Sequence, residues 1–394
     1  MLKKSKKYHI IIETSSFDTG GLERVVLDSA LLFKENGYKV SIFSTGKLGL
    51  LAMESKRHGI KVFGGRSYVK LGMFLCFARP TVSISHFANF GYPIYKFFGI
   101  PNITFIHNIY AFLDEDKKRK LLEDDKYVTR YISVSDTATS YAVNNLNLSP
   151  LKIATIPNGI IVSQHEDLLR ESTNLLPQDI PGLNDTDFIF LNVAAYNLHK
   201  GHYLMASALK EVNSVHPNAK ILCVGSEVYL PHLQELKKYL IDQNLTNNMI
   251  LAGYFSNVTP LYLRADCFLL PSFIEGWSIA MTEAMFYELP MVLTKVGGAP
   301  EVIEENDIGI LISNEFGEID KLNLDLLNEI SYSPREYAVV GELRDAMINM
   351  IENSTSWQAR AKLGKQKVIS HYNFESIIMS YIAEIEFVQK NFSK

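Results

Sequence analysis

Twelve short apolar runs, alternating with stretches of helical spacing, divide the 394-residue chain into strand–helix repeats. Seven fall early: His9–Ile12, Lys39–Phe43, Lys61–Phe63, Val82–Ser85, Ile103–Ile106, Tyr131–Val134 and Ala154–Ile156. Five follow: Phe188–Val193, Lys220–Val224, Met249–Leu251, Cys267–Leu270 and Met291–Leu293. After the first run, Leu22, Val25, Val26, Ala30, Leu31 and Phe33 recur at helical spacing up to Gly37, a C-terminal cap. Apolar strands alternating with helices imply parallel sheets covered on both faces. Residues 161–187 are polar and hold Pro177, Pro181 and Gly182, which reads as a linker between domains at 1–160 and 188–373. The length suits two such domains. In doubly wound domains ligands sit at the carboxyl ends of strands, so a cleft between the two is the expected site. A last amphipathic stretch, Phe374 to Val388 within 374–394, carries Ile377, Ile378, Tyr381, Ile382 and Ile385 on one face.

Composition narrows the class. With 47% hydrophobic and 21% charged residues the chain reads as globular rather than disordered or fibrous. Cys76, Cys223 and Cys267 are odd in number and lie in apolar stretches, which argues against a disulfide framework and for a reducing, cytoplasmic setting. Lysines at 3, 4, 6 and 7 precede too short an apolar run for a signal peptide, and no run approaches a membrane span. Charge is unevenly shared. Residues 1–160 carry 22 Lys and Arg against 13 Asp and Glu, net +9, whereas the remainder carries 17 against 30, net −13. A basic half points to an anionic partner or surface, or to a solvated face. Arg66–Phe77 and Tyr92–Phe98 mix aromatics, aliphatics and a few cations. That composition suits an anionic bilayer surface as well as an ordinary packed helix.

The chemistry concentrates in Pro271–Pro290, PSFIEGWSIAMTEAMFYELP. Strand Cys267–Leu270 ends at Pro271, a loop carries Glu275 and Gly276, and helical spacing runs from Trp277 to Leu289 before Pro290. Ala280 and Ala284, four apart, are small enough for this helix to lie close to a sheet. Glu275 then sits in the loop feeding the helix and Glu283 on the helix itself. Carboxylates accept from sugar hydroxyls, and the free N–H groups of a first helical turn attract anions. Such a site suits a ligand bearing both hydroxyls and phosphates.

This string resembles the signature of the family-4 retaining glycosyltransferases. It matches in Pro271-Ser272, Glu275-Gly276, Glu283-Ala284-Met285 and Pro290. The resemblance is strongest over 188–312 and partial over 1–160. It implies the GT-B fold: α/β, two Rossmann-like doubly wound domains facing each other across a cleft, with the final helix returning to the first domain. It further implies donor-binding roles for Gly20 and Gly21 in the loop Ser15–Glu23, and for Lys200 in a Lys-Gly pair that neutralises the diphosphate. Glu275, Gly276, Trp277, Ser278 and Glu283 join them, Glu275 on the sugar and Glu283 on the ribose. Gly253, Tyr254 and Phe255 fall where the base is held. His107, at a strand end, is implied near the reacting sugar, so Glu275, Lys200 and His107 are the catalytic candidates. His86 in SISHF is a weaker parallel. Gly297–Glu301 resembles the family's Gly-Gly-x-x-Glu turn, and Ile156–Gly159 a string preceding the linker. One departure stands out. The family carries an arginine shortly before the lysine, and here Ala194 and Ala195 stand there, with no arginine between Phe188 and Gly201. Asn197, His199 and His202 are the residues nearby that could compensate.

Asp114-Glu115-Asp116 and Asp185-Thr186-Asp187 have the form of a metal-holding Asp-x-Asp. The first opens a charged helix and the second precedes a strand, so both read as structural and no metal or other cofactor is expected. The reading is a metal-independent hexosyltransferase that moves sugar from a nucleotide-diphosphate sugar, UDP-sugar foremost, to a glycan or lipid-linked acceptor in cell-surface polysaccharide synthesis. No nucleic acid is expected as a partner, and the setting is cytoplasmic, on the inner face of the membrane. The rivals are a nucleotide-sugar epimerase of the same fold and a catalytically silent subunit of a glycosyltransferase complex.

Overall fold

The computed structural model describes residues 8–392 except 19, 173–179, 181, 304–306 and 332–333. Its contacts divide the chain into two units, residues 1–158 with 374–394, and residues 159–373.

The first unit is built on a seven-stranded sheet: β1 (His9–Thr14), β2 (Lys39–Ser44), β3 (Lys61–Gly64), β4 (Val82–His86), β5 (Asn102–Ile106), β6 (Arg130–Ser133) and β7 (Ile153–Thr155). The order is β3-β2-β1-β4-β5-β6-β7, and every pairing is parallel. Strand β1 is buried along its whole length, as a central strand covered by helices on both faces must be. Its last residues are nevertheless polar. Glu13 is fully buried, and both its carboxylate oxygens accept from the Gly91 N–H. Next to it Asn102 donates to Ser83 and Ser85, so the buried polar groups of β4 and β5 satisfy one another. The final helix, Phe374–Phe392, belongs to this unit and buries Phe374, Ile377, Ile378, Tyr381, Ile382, Ile385 and Val388. Arg130 of β6 pins it through Glu384 at 2.7 Å.

The second unit carries a six-stranded parallel sheet: β8 (Phe188–Val193), β9 (Ala219–Val224), β10 (Met249–Gly253), β11 (Cys267–Leu270), β12 (Met291–Thr294) and β13 (Gly309–Ile312). The order is β10-β9-β8-β11-β12-β13. In both units chain order reverses beside the first strand, between β1 and β4 and between β8 and β11. Loops leaving the carboxyl ends of those strands diverge there and leave a crevice.

Three expectations need correction. The segment read as a linker from 161 contains a helix, Val162–Glu171, which belongs to the second unit; Pro177 and Pro181 lie outside the described residues. Prolines later in the segment had concealed an amphipathic stretch before them. The helix expected over Trp277–Leu289 is shorter, Ile279–Phe286. Ser278 caps it by accepting from the Met281 N–H, and Glu288, at φ 59°, turns the chain toward β12 before Pro290 is reached. Strand β13 was not anticipated, because the four-residue run Gly309–Ile312 is too short for periodicity to declare. Ala284 is buried, and the close approach there comes from helix Ser354–His371: a Cβ on Gly364 would lie 3.1 Å from the Met285 carbonyl oxygen.

Candidate active site

In the second unit, the loop after β8 and the loop after β11 meet at the reversal of strand order. Gly201, at φ 72°, lets the first loop run against the second; a Cβ there would lie 2.3 Å from the Pro271 carbonyl oxygen. The Phe273 N–H donates to the His199 carbonyl at 2.8 Å, and Asn314 donates to the Phe273 carbonyl at 2.8 Å. These bonds hold Lys200 against Glu275, and the two side chains form an ion pair with little exposure. Ser272 donates to the same Glu275 oxygen at 3.2 Å. The two residues given separate roles by the sequence therefore touch.

The next loop completes the wall. The Gly298 N–H donates to the Gly276 carbonyl at 2.9 Å, and any Cβ on Gly298 would fall 2.2 Å from the Trp277 ring. Trp277 itself is buried, its ring tilted against that of Tyr372 and its indole N–H donating to Thr282. Its side chain is thus a packing element that sets the loop, and only its backbone remains to meet a ligand. Glu275, Ser278 and Gly298 line one small crevice with Thr294 and Val296.

Glu283 is held elsewhere on the helix. Its Oε2 accepts from Tyr262 at 2.8 Å and its Oε1 lies 3.8 Å from His165 Nε2. Tyr287 links His165 to Thr259. This network was missed from sequence, because Tyr262, Thr259 and His165 come from three separate segments and none sits in a recognisable string. Burial and the neighbouring Glu283 push the Tyr262 phenol well above its ordinary value, so it stays a donor to the carboxylate.

Gly253, Tyr254 and Phe255 lie just past β10. The Gly253 carbonyl accepts from Gly225, its N–H donates to Tyr196, and Tyr254 is exposed. Ala194 and Ala195 press on Gly225, where a Cβ would lie 1.9 Å from the Ala194 carbonyl. Below this loop three histidines gather. His202 and His232 are buried and lie 3.3 Å apart, and burial lowers both, to about 3 and about 4; His199 is lowered by burial and by Lys200 to about 4. They are neutral at pH 7, so none replaces an arginine's charge.

In the first unit Gly20, at φ 143°, precedes helix Gly21–Glu35, whose N-terminus no side chain caps. Glu23 folds back on this loop and accepts from Ser16. At the ends of β4 and β5, His86 Nδ1 and His107 Nε2 lie 2.7 Å apart with their rings stacked. Burial holds His107 down to about 3 and His86 well below its usual value, with the His107 ring adding to the difficulty His86 has in taking charge. One shared proton between two neutral rings fits this geometry, and His107 keeps Nδ1 for other work.

Residues of both Asp-x-Asp strings are bonded within their own unit. Asp114 caps helix Glu115–Asp124 and pairs with Lys117, Asp116 pairs with Arg119, and Asp187 accepts from the Asn184 N–H. Among the described residues no group of three or more His, Cys, Asp or Glu is placed to hold a metal.

Two parallel α/β units with sites at their strand ends define the GT-B class of fold. Solved structures agree over nearly the whole chain. A glycosyltransferase from Rickettsia africae covers 98% of this chain and 100% of its own with a TM-score of 0.76 at 17% identity. Anabaena Alr3699/HepE, solved with UDP-glucose, covers 96% and 99% with a TM-score of 0.78 at 15% identity. The family model "Glycosyl transferases group 1" matches residues 178–349 and "Glycosyltransferase Family 4" matches residues 19–164. The chain belongs to the family-4 glycosyltransferases. It is 25% identical over 282 residues to the UDP-Gal:alpha-D-GlcNAc-diphosphoundecaprenol alpha-1,3-galactosyltransferase of Escherichia coli, over 65% of this chain and 71% of that protein. It is also 25% identical to the Schizosaccharomyces pombe phosphatidylinositol N-acetylglucosaminyltransferase gpi3 subunit, over 53% of this chain and 46% of that protein.

Proposed function

We propose that this chain is a retaining, metal-independent hexosyltransferase that uses a nucleotide-diphosphate sugar, UDP-sugar foremost, and delivers the sugar to a glycan or lipid-linked acceptor. The observation carrying this reading is the Lys200–Glu275 pair at the reversal of strand order. A diphosphate arriving there draws Lys200 away from Glu275, so one event neutralises the leaving phosphates and frees the carboxylate for sugar hydroxyls. As the glycosidic bond breaks, negative charge grows on the diphosphate, and a fixed ammonium is worth most at that moment. Glu283, oriented by Tyr262 and His165, faces the ribose. Gly20 and Gly21 offer backbone N–H groups to phosphate, Gly253 to Phe255 adjoin the base, and neutral His107 orients the acceptor hydroxyl. Relatives named for a diphosphoundecaprenol and a phosphatidylinositol acceptor support the lipid-linked class.

The acceptor class suggests work at an anionic membrane surface. Helix Tyr68–Ala78 buries Leu71, Phe74 and Leu75 yet exposes Val69, Met73 and Phe77, at 72, 58 and 85%. Residues four apart form one stripe, and Lys34, Lys39, Lys61 and Lys70 line the adjoining hollow. An apolar stripe beside lysines is the pattern of a surface-seeking helix. No helix among the described residues is long and apolar enough to cross a membrane.

The test is transfer by the purified chain. UDP-, GDP-, ADP- and dTDP-sugars are supplied with and without a lipid-linked acceptor, in chelator and in manganese. Acceptor-dependent transfer at equal rates in both supports the reading. Sugar conversion without acceptor identifies an epimerase, and no turnover a silent subunit.

A further inference from the structure

The first unit contains a cavity of about 360 Å³ beneath helix Glu115–Asp124, well within the ~300–1,000 Å³ of small-molecule sites. Phe105, Ile106, Val128 and Leu148 form its floor, while Leu113 and Leu121 cover it from the helix side. The covering helix is weakly anchored. Asp124 is its only buried residue, and it holds itself together through the ion pairs Lys117–Asp114, Lys118–Glu115, Arg119–Asp116 and Lys120–Asp124. It lies over the cavity without filling it.

The polar groups on the wall decide what fits. Tyr92 and Thr104 bond each other at 2.6 Å, the Tyr110 hydroxyl donates to the Phe105 carbonyl, and the Tyr131 hydroxyl donates to Asp125. Asn89 donates to Asp124, and both lysines of the rim are ion-paired. A sugar in this cavity would have to compete with these internal bonds to recover the hydrogen bonds it gives up to water, and water itself needs two to four polar partners to settle there. A hydrocarbon forfeits nothing. At about the volume of one water per methylene, ~30 Å³, the cavity takes roughly a dozen carbons.

Phe87 ties the cavity to the site. It lines the wall at φ 49°, a left-handed conformation that costs a bulky residue energy and is held where neighbours impose it. Its ring contacts His107 at 5.6 Å and Tyr110 at 5.5 Å. Phe87 therefore stands between the cavity and His107.

We infer that this cavity binds the alkyl or isoprenyl chain of a single-chain lipid phosphate, with the helix Glu115–Asp124 as its cover and the polar head toward His107. The link to the acceptor rests on the function proposed above; the chain site itself does not. Calorimetric titration of the full chain with inorganic phosphate, butyl phosphate and dodecyl phosphate, all below micelle formation, tests it. Dodecyl phosphate is expected to bind at least about 100-fold more tightly than butyl phosphate, since each buried methylene adds to affinity. Leu121→Trp fills the cavity from the surface helix and Leu113→Asp charges its roof. Each is expected to weaken dodecyl phosphate about 10-fold or more, with circular dichroism unchanged. Affinity independent of chain length, or undiminished in both folded variants, would overturn the site. A second arm compares acceptors with one head group and a methyl or dodecyl tail, each offered with the donor. A lower KM for the long tail, lost in Leu121→Trp, makes the occupant the acceptor's chain. Equal KM values would overturn that assignment. Transfer to neither would overturn the proposed function while leaving the chain site to the titration.

Discussion

Lys200 and Glu275 make opposite predictions because they hold each other. Lys200→Ala should weaken UDP by about 1–3 kcal/mol, the range of a charge-assisted bond, and slow transfer further. Glu275→Gln removes the competitor for Lys200, so it should tighten free UDP several-fold while transfer falls by about 10². Calorimetry with UDP and rates with donor separate the two effects; weaker UDP binding by Glu275→Gln would refute the exchange. A second prediction concerns acid. Burial holds His86, His107, His199, His202 and His232 below the ordinary 6.5. The unfolded chain takes those protons as pH falls below about 6.5 and the folded chain does not, so stability present at neutral pH is lost on acidification. Glu13 and Asp28, raised by burial to about 7 and about 6, act in the opposite sense, their penalty vanishing as they protonate. The histidines outnumber them. At pH 5.5 one fully buried histidine accounts for about 1.4 kcal/mol. Urea unfolding at pH 7.5 and 5.5 should therefore show a smaller acid loss in His202→Leu than in the parent, and an equal loss would contradict it.

At the scale of elements, helix Tyr68–Ala78 is the one whose exposed face asks for a partner. Liposome flotation should recover the chain with anionic vesicles, less so in high salt, and less with Val69, Met73 and Phe77 all changed to Ser. Those residues are exposed, so the variant keeps Leu71, Phe74 and Leu75 in place. Equal recovery with neutral and anionic vesicles would contradict the lysine contribution, and no recovery with either the membrane role. Most elements were legible in the sequence, because buried parallel strands are apolar end to end and helices carry a 3.6-residue period. The string around Pro271 marked the strand and the loop, and began the helix at Trp277, two residues before Ile279. It overran the helix end, since nothing in Tyr287-Glu288 announces a left-handed turn. Trp277 read as a ligand contact and is a buried wedge against Gly298, a relation between two loops that no local pattern carries.

At the scale of the whole molecule, what was legible is what repeats: two strand–helix series, their carboxyl ends, and the motifs on them. What was not legible is pairing between distant segments. Glu283 with Tyr262 and His165, His86 with His107, and the cavity under Glu115–Asp124 each join residues that only the folded sheet brings together. The missing arginine was visible in sequence, and the neutral histidines nearby leave Lys200 as the cation facing Glu275. Proton NMR of the product reads whether sugar is transferred with retention. With a UDP-sugar and a lipid-linked acceptor, the transferred sugar should keep the donor's anomeric configuration, and Lys200→Ala should remove the signal. An inverted anomer, or no transfer from any nucleotide sugar, would contradict retaining transfer.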